Sequence, residues 1–512
     1  MRMTGAQAAI EILREQGTAV VFGYPGANVL EIYRALATSD IRHILTSSEA
    51  GAAHAADGFS RAGGGVGVCI ATSGPGATNL VTGIATAYMD STPVVFITGN
   101  VPRAQVGTDS FQEVDITGIT LPITKWNMLV RTPDELCESL RTAFRIAREG
   151  RPGPVLVDIP RDVALGFCDY SPKPLETLCP KAPSDSDISS AASLVERSQR
   201  PIILAGGGAK TAPRELESFR SALDCPLVTT MMGIGASPHS LGFVGQDGHA
   251  AANAALDAAD LVIAVGARFS DRVARPFEDK LNLVHIDVDR AEIGKNVAAA
   301  ASVEADAALA LKALTPLVTP RPWSPPTALE KRIAARGGVS PQSLSTVRRY
   351  FPDALIATDV GEHQIWAVRF IGVDDPRGLL TPGGLGTMGF GLGAAVGGCV
   401  ATGRRAVLVT GDGSFMMNLN ELATAVREGV DLTVLLMRNR ALGMVHRKLK
   451  RGERAVTELK SQPDFLRLAR SFGAKAWLAR SDSELERRLE TASNTPGVKL
   501  IECRVGRDTH IG

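Results

Sequence analysis

Near the C-terminal end a short apolar run, RAVLVT, leads into Gly411-Asp412-Gly413-Ser414, then a helical stretch MMNLNELATAVREG, a second apolar run LTVLLM, and Arg438-Asn439. The interval between Asp412 and Asn439 is that of one strand–helix–strand crossover. Such crossovers are right-handed, which places both residues at the carboxyl ends of parallel strands, where α/β sheets bind ligands. A carboxylate and an amide oxygen are hard donors suited to Mg²⁺, which keeps room for phosphate oxygens and water. Gly411 and Gly413 let backbone approach a phosphate, and the helix after Ser414 presents free N–H groups. An Asp-Gly turn with a capping Asn would use the same residue types, but the second strand and the spacing of Asn439 favour a ligand site. Glu49 stands in a comparable place, just past the run IRHILT and at a helix start, where the helix dipole also favours an acid. Gly384 to Gly389 match GxGxxG, a weak dinucleotide signal here because no clear strand immediately precedes it and Thr381-Pro382 interrupts the chain.

These residues need parallel strands beneath them. TAVVF (18–22), IRHILT (41–46), VGVCIAT (66–72), PVVFITG (93–99) and PVLVDIP (154–160) alternate with helical stretches, one of them starting at Glu49. A second series holds PIILAGGG (201–208), LVIAVG (261–266) and VHIDVD (284–289); a third holds ALIATD (354–359), RAVLVTGDG (405–413), LTVLLM (432–437) and KLIECRV (499–505). The Pro-, Ser- and Asp-rich segment from Ser171 to Ser189 and the Pro-rich TPRPWSPPT (319–327) read as linkers. The expected fold is α/β, with three doubly wound parallel-sheet domains over residues 1–168, 188–316 and 338–512.

Composition agrees. A chain of 512 residues has room for about three domains. Its 55 basic side chains almost cancel its 54 acidic ones, so no excess charge exists to neutralise nucleic-acid phosphates. The apolar runs are strand-length, which predicts no transmembrane helix. The N-terminal MRMTGAQAAIEILREQG has helical spacing and no apolar signal-peptide core. Seven cysteines without a CxxC pair argue against zinc ribbons and a disulfide framework. The expectation is a soluble cytoplasmic protein with no nucleic-acid or membrane partner.

The GDG…N arrangement resembles the diphosphate–Mg²⁺ signature of thiamine diphosphate enzymes. Further segments resemble the acetohydroxyacid (acetolactate) synthases over nearly the whole chain: SSEAGAAHAADGFSRA (47–62), TSGPGATN (72–79), GTDSFQE (107–113), RPGPVLVDIPRDV (151–163), TTMMGIGA (229–236), VGARFSDRV (265–273), HIDVDRAEIGKN (285–296), DVGEHQIWA (359–367), GGLGTMGFGLGAA (383–395) and GDGSFMMNLNELAT (411–424). The resemblance implies a pyrimidine-binding domain, a central FAD-type domain and a diphosphate-binding domain. It implies Mg²⁺ on Asp412, Asn439 and the Ala441 backbone oxygen. Val360, Gly361, Glu362, His363, Gly413, Ser414, Gly443, Met444 and Val445 would line the diphosphate and thiazolium, with the Gly386 carbonyl and Met388 at the bend between the rings. Glu49 would hydrogen-bond N1′ of the aminopyrimidine, favouring the imino tautomer whose 4′-imine removes the thiazolium C2 proton. Pro75 and Asn79 would border the cofactor, Gln112 the reacting carbon, Phe111 an apolar wall and Lys125 the substrate entrance.

In the middle domain the resemblance implies FAD, held by Gly206, Gly207, Arg151, Arg268, Asp271, Arg272 and Asp287; arginine forks suit its phosphates or ring oxygens and the carboxylate its ribose. That flavin would be structural, since the implied reaction has no net redox change: pyruvate is decarboxylated and its two-carbon unit passes to a second 2-oxo acid, forming 2-acetolactate. A homodimer or tetramer with active sites between subunits, and a possible regulatory subunit, are also implied. Four positions depart from the family pattern: Ser48 replaces His, Ser270 replaces Asp, Gln246-Asp247-Gly248 replaces Met-His-Gly, and His446-Arg447-Lys448 replaces Met-Gln-Trp in a segment that is also shorter. Lys448 changes both volume and charge where a tryptophan shapes the acceptor pocket. A sulfoacetaldehyde acetyltransferase, a 2-oxo acid decarboxylase, a pyruvate oxidase-like enzyme or a non-catalytic paralogue therefore stay open as alternatives.

Overall fold

Residues 1–274, 282–330 and 337–509 are described by a computed structural model. Their longer strands form three parallel sheets. In the first the order is Arg42–Leu45, Val20–Tyr24, Gly67–Ala71, Val94–Asn100, Val155–Pro160, Trp126–Leu129. In the third it is Leu379–Leu380, Leu355–Thr358, Ala406–Gly411, Leu432–Arg438, Val498–Arg504, Lys475–Ala479. The two orders are the same: each chain starts inside the sheet, steps outward once, then reverses past its own first strand. The middle sheet runs Leu227–Thr229, Pro201–Ala205, Leu261–Val265, Asn282–Asp287, Ala301–Glu304. A two-stranded antiparallel ribbon, Arg2–Thr4 with Phe167–Asp169, closes the first domain.

Period-two alternation explains the layers. Val95, Ile97, Val155 and Val157 enter the apolar cluster on one face of the first sheet, while Val94, Phe96 and Leu156 enter the cluster on the other. Strands buried on both faces read as continuous apolar runs, which is why the central ones were legible. The short edge strands Trp126–Leu129, Leu227–Thr229, Ala301–Glu304, Leu379–Leu380 and Lys475–Ala479 lie outside the runs expected to be strands. An edge needs less apolar surface and is often kept short or polar. Two local readings change. The Ser171–Ser189 linker ends early, because Ser184 caps a helix Asp185–Arg197 by accepting from the Asp187 N–H. The N-terminal helix runs Gly5–Glu15, started by a Thr4–Gln7 capping box after the first strand. Among the described residues no helix is long and apolar enough to cross a membrane.

The first and third domains are joined through small residues. Helix Glu49–Phe59 (EAGAAHAADGF) crosses helix Phe390–Thr402 (FGLGAAVGGCVAT), and a Cβ on Gly58 would overlap Ala394 while one on Gly397 would overlap Ala55 O. Gly397→Ala is therefore expected to destabilise the chain by about 1–3 kcal/mol through overpacking, measured as a lowered denaturant midpoint. Beside this crossing Arg61 pairs with Asp57, bridges to Asp90 at 2.9 Å and donates to Thr381 O at 2.9 Å. The Gly384 N–H donates to Asp90 Oδ1 at 2.7 Å, and the Thr86 and Thr387 hydroxyls bond at 2.7 Å. The loop carrying Gly386 and Met388 thus hangs on the first domain.

Candidate active site

Reversal of the third sheet opens a crevice at the carboxyl ends of Leu355–Thr358 and Ala406–Gly411, the topological switch point at which such sheets bind ligands. Val360 and Gly361 follow the first of these strands and Asp412 the second; Asn439 follows the next strand over, Leu432–Arg438. Ser414 Oγ donates to Val360 O at 3.1 Å, tying the two walls together. Asp412 is 1% exposed. Burial pushes its carboxyl up from the ordinary range, opposed by hydrogen bonds to Oδ2 from Gln462 Nε2 at 2.7 Å and the Arg440 N–H at 2.8 Å. Asn439 Oδ1 accepts from the Ala441 N–H at 3.0 Å, curling the loop so that the Ala441 backbone follows directly.

Glycines clear the crevice. A Cβ on Gly443 would stand 3.0 Å from both Asn439 Nδ2 and Glu362 Cγ, and one on Gly413 would stand 2.9 Å from Leu442 and 3.7 Å from Met388 Cε. Glu362, itself buried, pairs with Arg447, so the family departure at 447 gains a partner inside the site. His363 is buried and its Nε2 has no hydrogen-bond partner; burial lowers its pKa to about 3, so the ring is neutral at physiological pH. Gly386 (φ +78°) stands exposed in its loop, and Met444 and Val445 lie on the short helix Gly443–Lys448, with Val445 51% exposed.

A second corner forms on the first domain. Glu49 opens helix Glu49–Phe59, where the Ser48 hydroxyl caps by accepting from the Gly51 N–H at 3.0 Å. Asn79 Nδ2 donates to Glu49 Oε2 at 3.0 Å, while a Cβ on Gly76 would come within 3.3 Å of Oε1. Gly74 abuts the backbone of Gln112, whose φ is +63°, so Glu49, Pro75, Asn79 and Gln112 share one corner. Phe111 projects outward, 87% exposed. Ser48 also donates to Glu421 Oε1 at 3.2 Å, and the Ser47 N–H to Glu421 at 3.1 Å, so the Glu49 corner is braced by the third domain. The Lys125 Nζ donates to Ile146 O and, at 2.6 Å, to Glu149 O at the end of helix Pro133–Arg148, and burial lowers its pKa to about 8.

Family models for thiamine pyrophosphate (diphosphate) enzymes match in three pieces: the N-terminal TPP-binding domain over residues 3–119, the central domain over 188–314 and the C-terminal TPP-binding domain over 359–503. The chain is 42% identical to the probable acetolactate synthase large subunit of Methanocaldococcus jannaschii, with 96% of this chain and 91% of the relative aligned. It is 39% identical to the acetolactate synthase isozyme 1 large subunit of Escherichia coli over 100% and 95%, and 41% identical to the isozyme 2 large subunit over 98% and 96%. The chain belongs to the acetolactate synthase family.

In this family member the middle domain shows mixed uses for its candidate residues. Gly206 and Gly208 are required by packing, since a Cβ on either would crowd the Gly266 turn, whereas one on Gly207 would meet only Met232, at 3.5 Å. Arg151 crosses from the first domain to Glu292 at 3.0 Å and Asp289 at 3.4 Å, and Arg268 reaches back to Met89 O. Burial raises the Asp287 pKa to about 6. Asp271 begins the short helix that also holds Arg272, and Arg272 lies 3.7 Å from Asp247, one of the residues departing from the family pattern. Ser270 and Lys448 are exposed. Gln462 lies outside the matching segments, Glu421 inside the segment 411–424 and Arg447 at a departure from the family pattern; each touches a residue far away in sequence, so none was expected as a contact of the two corners.

Proposed function

We propose that this chain is the catalytic subunit of an acetolactate synthase, a carboligase that decarboxylates pyruvate and transfers the two-carbon unit to a second 2-oxo acid to form 2-acetolactate. The observation carrying this reading is the buried Asp412 beside Asn439 at a switch-point crevice, in a chain aligned over nearly its whole length with acetolactate synthase large subunits. The donors fit Mg²⁺: a carboxylate, an amide oxygen and a backbone carbonyl are all hard oxygens. Among the described residues no cluster of three His, Cys, Asp or Glu side chains could hold a metal, so such a mixed set is the available route. The unpartnered His363 Nε2 and the glycine-cleared crevice suit a phosphorylated ligand.

Bound thiamine diphosphate supplies the electron sink for loss of CO₂ and for the carbon–carbon bond that follows. Asp412, Asn439 and Ala441 O would hold the cation, and the Val360, Ser414 and Gly443 loops the diphosphate. Glu49, fixed at Oε2 by Asn79, would place a proton on the aminopyrimidine ring nitrogen from its remaining oxygen. Gln112 and Phe111 would border the substrate. The exposed Phe111, Met417 and Val445, at 87%, 60% and 51%, support burial of these corners against a second copy in a homodimer or tetramer. The relatives' description as large subunits supports a regulatory partner subunit, and a cytoplasmic location is part of the same proposal.

The middle domain is proposed to bind FAD as a structural group, with Gly207, Arg151, Arg268 and Arg272 toward phosphates or ring oxygens and Asp287 toward ribose. Purified protein incubated with thiamine diphosphate, Mg²⁺ and pyruvate tests the whole reading: acetolactate and flavin absorption bands are expected. Acetaldehyde or acetyl phosphate as sole product would replace the carboligase assignment, and a colourless protein after FAD reconstitution would remove the flavin. The acceptor pocket is tested by Lys448→Trp, expected to raise the 2-ketobutyrate-to-pyruvate product ratio severalfold in a competition assay. An unchanged ratio would place Lys448 outside the pocket.

A further inference from the structure

Asp412 is held by a chain of side chains that starts two strands away. Glu502, on the strand Val498–Arg504, is 1% exposed and accepts from Arg438 Nη1 at 2.9 Å. Arg438 ends the neighbouring strand, is 8% exposed, and stacks its guanidinium 5.2 Å from the Phe465 ring centre. Its Nε donates to Gln462 Oε1 at 2.8 Å, and Gln462 Nε2 donates to Asp412 Oδ2 at 2.7 Å. An arginine can only donate, so the Gln462 oxygen must face Arg438 and its amide hydrogens must face Asp412. The orientation of the amide is therefore dictated by chemistry. Pro463 restricts Gln462 to extended backbone, and Asp464 starts helix Phe465–Ser471 by accepting from the Leu466 and Arg467 N–H groups at 3.1 Å, which anchors the loop.

Two donors converge on one carboxylate oxygen, Gln462 Nε2 and the Arg440 N–H, so rotation of the Asp412 carboxylate is blocked and the direction of Oδ1 is set. From this geometry we propose that Gln462, oriented by the Arg438–Glu502 pair, is a positioning residue that pre-sets Asp412 for a divalent cation. The inference rests on the Mg²⁺ assignment above. Outer groups that orient metal ligands are worth about 10–100-fold in metal affinity.

The test titrates Mg²⁺ into the full-length apoprotein with saturating thiamine diphosphate, reading cofactor uptake by intrinsic fluorescence alongside turnover. Gln462→Met, which keeps the volume and removes the donor, is expected to raise the half-saturating Mg²⁺ by about 10–100-fold while turnover at saturating Mg²⁺ stays near wild type. An unchanged half-saturation in Gln462→Met would overturn the proposal, as would a turnover loss that excess Mg²⁺ does not restore. Should Gln462→Met fail to fold, Arg438→Lys, which keeps the charge but loses the fork, must give the same Mg²⁺ shift. Wild-type protein whose cofactor uptake ignores Mg²⁺ would instead defeat the metal assignment itself.

Discussion

Glu49→Gln is expected to lower turnover with pyruvate by about 10²–10⁴-fold, the range for removing a positioned acid–base group, while leaving the fold and cofactor uptake near wild type. The substitution keeps the shape of the side chain and an acceptor for the Asn79 amide, which lies 3.0 Å from Glu49 Oε2. It removes only the ability to exchange a proton. The Ser48 cap and the Glu421 brace do not involve the Glu49 side chain, so the thermal midpoint should stay within a degree or two, on the order expected for a change below about 0.5 kcal/mol. The measurement pairs product formation with fluorescence titration of thiamine diphosphate. A variant with wild-type turnover would take Glu49 out of the reaction.

Asp412→Ala is the complementary case, expected to abolish cofactor retention while Glu49→Gln spares it. Asp412 contributes the single carboxylate of the proposed cation set, and its removal leaves the Gln462 amide and the Arg440 N–H facing a cavity. Apparent affinity for thiamine diphosphate in the presence of Mg²⁺ should fall by at least about 100-fold, with no recovery at high Mg²⁺ because the ligand itself is gone. That last feature separates it from Gln462→Met, whose defect excess Mg²⁺ should repair. Stability of the apoprotein is expected to fall by about 1–3 kcal/mol, since the two donors lose their acceptor. Calorimetric titration and apoprotein melting check both halves. Tight cofactor binding by Asp412→Ala would refute the metal-ligand role.

Local residue pattern was enough to read the three-domain α/β architecture and the segments that carry the family resemblance. Central strands such as Val94–Asn100 and Leu432–Arg438 are buried on both faces, so their apolar runs are continuous and visible, and Asp412 and Asn439 are tied to strand ends by a short crossover. A half-buried edge strand such as Lys475–Ala479 carries no such pattern. Tertiary structure alone decided which distant residues support the two corners. Gln462 reaches Asp412 directly and Glu502 reaches Gln462 through Arg438, Glu421 braces Ser47 and Ser48 from another domain, and Arg447 finds Glu362 across the crevice. It also turned Lys125 toward backbone carbonyls at a helix end. The physical reason is range: backbone periodicity and turn chemistry act over a few neighbouring residues and leave a local trace. A hydrogen bond between side chains far apart in the chain depends on how sheets and helices pack, and leaves none.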